Sequence, residues 1–189
     1  MKHQRTLQFF VAFVAISLAN LISITPLRAE EMSHTIFLPL VAHTDECALS
    51  KQEQALLEQM SSAPQQGRAT LDCNPILMQV ARTQAQEMAD QGYCAPQNPD
   101  GVGPNYRVSQ AGYRLPEYYS ATRDSNNIQT VACGYQSAQV FWTDYGNNAH
   151  LLGNDDFWAA QTEYGLAYYQ SPTSKAVHYW VVITAPPAK

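Results

Sequence analysis

The chain is short of charge. Asp, Glu, Lys and Arg make up 14% of its 189 residues, where about a quarter is usual for soluble proteins. Eleven basic against sixteen acidic residues give a net −5, which excludes the basic footprint of a nucleic-acid binder. Histidine is scarce too. Past the N-terminal stretch there are only His34, His43, His150 and His178, none paired at i, i+4, and no Cys-x-x-Cys occurs. Spacing alone therefore shows no dedicated metal site. No Gly-x-Ser-x-Gly marks a hydrolase elbow. Gly101-Val102-Gly103 lacks the strand–turn–helix context that a phosphate loop needs. There is no internal repeat.

What is present argues for one folded domain. Hydrophobic residues at 46% and aromatics at 11% exclude a disordered chain, and the length suits a single core. The first thirty residues stand apart. Lys2, His3 and Arg5 precede an uncharged stretch from Thr6 to Leu27, the form of a secretory signal peptide. Cleavage after Ala29 or after Ala19 fits, and a retained membrane anchor is the alternative, which Asn20 and Pro26 weaken. Removing residues 1–29 leaves eight basic and sixteen acidic residues, a net −8. Export then changes the reading of Cys47, Cys73, Cys94 and Cys133: an even count in an oxidising compartment suggests two disulfides, with three pairings open.

Residues 30–45 are expected to be an extended linker, and 46–186 the folded domain. Ser50-Lys51-Gln52-Glu53 has the form of a capping box, and Leu49, Leu56, Leu57 and Met60 follow at helical spacing, predicting a helix near 50–61. Ser61 to Asp72 reads as a loop. Asn74-Pro75 is a second helix start; Leu77, Val80, Ala81, Ala85 and Met88 give it one apolar face, and Gly92 ends it. From Tyr93 to Asn127 the composition predicts long loops with short ordered pieces, a length that usually carries a site. Ile128–Val131 reads as a short strand or turn ending at Gly134, and Ser137–Tyr145 as a short helix. Tyr164–Gln170 and Val177–Thr184 are strands joined through Ser171-Pro172-Thr173-Ser174. Both are apolar on both faces, so both faces must be covered. Helices first and an antiparallel sheet last give an α+β sandwich.

Two enzymatic constellations can be drawn from the residues. Cys133 with His150 would make a nucleophilic pair, but an exported Cys133 belongs more naturally in a disulfide. Asp155, Asp156, Glu163 and Glu117 near aromatic loops would suit a glycosidase, though loop carboxylates are usually just solvated.

The order of short motifs resembles the CAP superfamily (cysteine-rich secretory proteins, antigen 5, pathogenesis-related 1), in its bacterial SCP-like branch. The resemblance spans 46–184. It runs from Asn74-Pro75-Ile76-Leu77 through Gly92-Tyr93, Pro99-Asp100-Gly101, Ala111-Gly112-Tyr113 and Val131-Ala132-Cys133-Gly134. It continues with Trp142, His150-Leu151-Leu152, Glu163-Tyr164-Gly165 and Tyr179-Trp180. It implies a CAP-like α-β-α sandwich with a mainly antiparallel central sheet.

The resemblance also implies a cavity where a His after the Gly-Tyr, a Glu and a His after the Trp bind a divalent metal in many members. Here the last falls on His150, the first His on Pro96, and the Glu on Gln129; aligning Glu117 instead breaks the spacing to Gly134 and Trp142. Proline offers no ligand and an amide is a poor one, so a degenerate site without metal or other cofactor is expected. Cys94 lies two residues before Pro96 and Cys133 four after Gln129. Segments that meet at a metal in the family are thus expected to meet at a Cys94–Cys133 disulfide, with Cys47–Cys73 as the other bridge. The implied function is a secreted, non-enzymatic extracellular binding domain. His150, Gln129, Trp142 and Tyr93 are the candidate cavity residues, and Tyr106, Tyr113, Tyr118 and Tyr119 are further aromatic wall. A lipid, glycan or other extracellular ligand is the expected partner, with a membrane only if the signal segment is retained. The alternative is a hydrolase of cell-wall or other polymers acting through His150.

Overall fold

A computed structural model describes residues 46–120 and 122–188. The expectations for the signal segment and linker lie outside the described residues.

The capping box forms as the sequence reads: Ser50 Oγ accepts from the Glu53 N–H and Glu53 answers to the Ser50 N–H, starting α1 (Lys51–Ser62). A two-residue strand, β1 (Asp72–Cys73), follows at the end of the expected loop. Asn74 then caps α2 (Pro75–Gln91) through the Ile76 and Leu77 N–H groups, and Gly92, with φ 71°, ends it in the left-handed conformation. The long stretch after α2 holds one helix, α3 (Pro104–Gln110). Next come β2 (Gln129–Cys133) and α4 (Ala138–Tyr145). Two single-turn helices that hydrophobic period does not reveal, α5 (Ala149–Leu152) and α6 (Asp156–Ala159), are each set by an Asn or Asp cap. The long hairpin β3 (Glu163–Gln170) and β4 (His178–Ala185) closes the domain.

The sheet runs β1-β3-β4-β2, antiparallel except for β1 beside β3. Strand alternation sends Tyr179, Val181 and Ile183 into a core beneath α2, while Trp180 and Val182 enter a second core with Leu56, Met60 and Phe141 from α1 and α4. Both faces of β3 and β4 are therefore covered, the α-β-α arrangement that their two-sided apolarity requires.

Contact between α2 and the sheet is unusually close. A Cβ at Gly165 would lie 2.2 Å from the Leu77 carbonyl carbon and oxygen, so the helix can rest on the strand only because that position is Gly. Beyond β1 the outer edge of β3 would expose unpaired N–H groups. Side chains take them instead: Met78 Sδ accepts from Leu166 N–H at 3.1 Å, and Glu53 Oε1 from Tyr168 N–H at 2.8 Å. The disulfides are Cys47–Cys73, which ties the chain ahead of α1 to β1, and Cys94–Cys133, which ties the segment after α2 to the end of β2.

Candidate functional site

Strand parity decides where the candidate residues lie. On β2, Val131 and Cys133 join the core under α2, while Ala132 joins the opposite core. Gln129 therefore faces α2, and Thr130 faces the other way.

On the α2 side Gln129 is buried against Gln84 in a reciprocal amide pair. Gln129 Nε2 donates to Gln84 Oε1 at 2.8 Å, and Gln84 Nε2 donates to Gln129 Oε1 at 3.1 Å. Gln84 Nε2 also reaches the Pro96 carbonyl at 2.9 Å. The segments carrying Pro96 and Gln129 do meet, joined by Gln84 and by the Cys94–Cys133 bridge.

His150 sits on the opposite face, only 4% exposed. Its Nδ1 lies 2.8 Å from Thr130 Oγ1 and its Nε2 2.8 Å from Thr184 Oγ1. The network fixes the tautomer. Gln161 Nε2 must donate to the Asn127 carbonyl, at 2.8 Å, which leaves Oε1 as the acceptor facing Thr184. Thr184 gives its one proton to that oxygen, so it can only accept from His150. The ring thus carries its hydrogen on Nε2, and bare Nδ1 accepts from Thr130.

Beside it lies Arg68, also buried, donating to the carbonyls of Gln161, Leu151 and His150 and to Thr184. Desolvation lowers its pKa to about 10, against a smaller upward pull from the Asp155 carboxylate. Burial first, then the Arg68 charge, lower the His150 pKa to about 3, against a smaller pull upward from the Ile128 carbonyl. His150 is a neutral ring locked in a polar knot.

The other candidates lie elsewhere. Trp142, half-buried on α4, packs with the core on the α1 side and walls a groove with Gln59, Pro64 and Gly146. Tyr93, just past α2, packs with the core on the α2 side, its hydroxyl pushed up to about 12 by desolvation and the Glu87 carboxylate. The structure thus groups Gln129 and Tyr93 with one core, and His150 and Trp142 with the other. It does not bring the four together.

The enzymatic constellations fare differently. Cys133 is disulfide-bonded and so unavailable as a nucleophile. Glu163 Oε2 accepts from Tyr113 Oη at 2.8 Å and from Asn74 Nδ2 at 2.9 Å. Asp155 caps α6, and Glu117 is exposed near Tyr118. Nor does the donor set suit a divalent metal: a proline, an amide already paired, and an imidazole with both nitrogens engaged. Among the described residues no group of three or more His, Cys, Asp or Glu comes together.

Sequence reasoning passed over Gln84, Arg68, Thr130, Gln161 and Thr184. Two of these carried a readable signal. Gln84 lies four residues after Val80 and four before Met88, inside an apolar stripe. Thr184 continues the Trp180, Val182 face. Arg68 and Gln161 stand in loops, where pattern gives no warning.

The comparisons agree with this architecture. No curated protein matches at a significant level. Among solved structures, an outer surface protein of Borrelia burgdorferi is similar with a TM-score of 0.53 at 15% identity, over 75% of this chain and 97% of that one. The sequence model of the cysteine-rich secretory protein family, CAP, matches residues 64–184. With that match spanning most of the described fold, the chain belongs to the CAP family.

Proposed function

We propose that this is an exported CAP domain that works by binding rather than by catalysis, its family metal position replaced by protein cross-links. The state of His150 carries the reading. A general acid or base must reach its substrate within hydrogen-bond distance and titrate near the working pH. His150 is buried, has both nitrogens engaged by threonines, and has its pKa depressed to about 3. Gln129, which stands where the resemblance puts a carboxylate, faces the opposite side of the sheet and is neutral.

Export is supported by the signal-like N-terminus and by two disulfides, which persist in oxidising compartments. The structurally similar Borrelia burgdorferi chain is an outer surface protein, in keeping with a place outside the cell. The Cys94–Cys133 bridge and the Gln84–Gln129 pair hold together the segments that a metal would join in relatives.

The test is to incubate the purified full chain, and its His150→Gln variant, with peptidoglycan and extracellular polysaccharides and to follow chain length. No turnover is expected from either. Cleavage by the wild type that His150→Gln abolishes would sink the reading. Elemental analysis showing one equivalent of zinc would separately overturn the replacement of the metal position.

A further inference from the structure

One surface stands apart from these buried knots. The segment 113–119 is anchored near both ends by buried tyrosines. Tyr113 Oη donates to Glu163 at 2.8 Å, and Tyr119 Oη accepts from Gln161 Nε2 at 2.8 Å. A turn closed by Tyr119 N–H to the Pro116 carbonyl at 2.9 Å leaves Tyr118 outside, 68% exposed. Tyr118 packs on Tyr119 with ring centroids 4.9 Å apart, and Phe157, 36% exposed, stacks on Tyr119 at 5.2 Å. Trp158 meets Phe157 edge-on at 4.9 Å and continues inward to the His150 ring at 4.8 Å. Two exposed rings are thus supported by a buried one that the polar network around Gln161 holds still.

Each ring has polar neighbours of its own. A cavity of about 420 Å³ opens beside Tyr118, with Arg114 and Glu117 on its wall and Leu115 and Pro116 as its apolar part, within the range of small-ligand sites. Beside Phe157 stand Asp155, with one oxygen committed to the Trp158 N–H, and the exposed Asp156. We infer that Tyr118 and Phe157, each seated on the Tyr119 ring, bind an uncharged pyranose oligosaccharide. A pyranose has an apolar C–H face, which a fixed aromatic ring covers, and a rim of hydroxyls, which carboxylates and a guanidinium pair with. The acidic rim and the net −8 of the chain after residue 29 oppose a polyanionic glycan or an anionic lipid surface. The mixture of one or two rings with ionic neighbours is too polar for the core of a stable protein interface, which is depleted in charge. The inference rests on the binding-domain reading and names its ligand class.

The test uses the full chain and two probes, tetramers of β-linked glucose and of β-linked N-acetylglucosamine, with heparin as the polyanion arm. Binding is followed by calorimetry and by tryptophan emission, since Trp158 adjoins Phe157. Saturable binding of at least one neutral tetramer is expected. Tyr118→Ala and Phe157→Ala should each weaken it about tenfold, and Val140→Ala, at an exposed apolar site on α4, by less than twofold. Should Phe157→Ala disturb the fold, Tyr118→Ala decides alone. No saturable binding of either tetramer, binding of heparin only, or binding indifferent to Tyr118→Ala would overturn the inference. Size analysis of the recovered tetramers separates the two readings: shortened tetramers sink the non-enzymatic reading, whereas intact tetramers without binding sink only this site.

Discussion

His150 should leave a signature in the acid stability of the protein. In the unfolded chain its imidazole takes a proton near pH 6.5; in the fold its pKa is lowered to about 3. The group is neutral in both states above pH 6.5 and contributes no pH dependence there. As the pH falls from 6.5 towards 3, the unfolded chain binds a proton that the fold refuses, so stability is lost across that window. Each pH unit costs about 1.4 kcal/mol, so near pH 4.5 the loss from this one residue is on the order of 3 kcal/mol. The measurement is denaturant unfolding between pH 7.5 and 4.5 on the wild type and on His150→Gln, whose amide offers one donor and one acceptor to the two threonines without titrating. At pH 7.5 the variant is expected to be less stable, because a buried site shaped to a ring is refilled imperfectly. Its stability should nonetheless fall by about 3 kcal/mol less over the acid range, since carboxylates common to both proteins cancel in the difference. Long-range ¹⁵N spectra should show the hydrogen on Nε2 and no titration down to pH 4.5. Parallel stability curves, or an imidazole titrating near 6.5, would refute the buried neutral state and reopen general acid–base chemistry at this residue.

The remaining predictions concern the frame. Gly165→Ala puts a methyl against the Leu77 backbone, which cannot move without shifting α2; a loss of about 3 kcal/mol is expected in denaturant unfolding. Arg68→Lys keeps the charge but not the planar fork that serves three carbonyls and Thr184; the loss should exceed about 2 kcal/mol, and a fully stable variant would show that the fork is dispensable. Replacing Cys94 and Cys133 by Ala removes a link across a sequence separation of 39, and Cys47 with Cys73 one across 26. The loop-entropy relation puts these at about 4 and about 3.5 kcal/mol, measurable as lowered thermal midpoints. Peptide mapping without reductant should recover those two linked pairs and no others.

Legibility followed the physics of each element. The Ser50 box, the Asn74-Pro75 start and the two-sided strands near 164 and 178 are local signals, and each formed within a residue or so of the expected place. β1 was not legible because two residues have no period; it exists through its pairing with Glu163 and Tyr164. The turns of α5 and α6 rest on single capping side chains, Asn148 and Asp155, that composition alone cannot tell from loop polarity. The site was harder for a different reason. A motif fixes position along the chain, but a strand alternates faces at every residue, so carrying a role to Gln129 rather than Thr130 decides which side of the sheet it serves. Gln129 turns to α2 and meets Gln84; Thr130 turns away and meets His150. Two adjacent residues thereby hold two separate polar knots on opposite faces. One ion could not take both Gln129 and His150 as ligands without reaching through the strand: the amide pair and the Cys94–Cys133 bridge link one face, and the hydroxyls with the imidazole link the other.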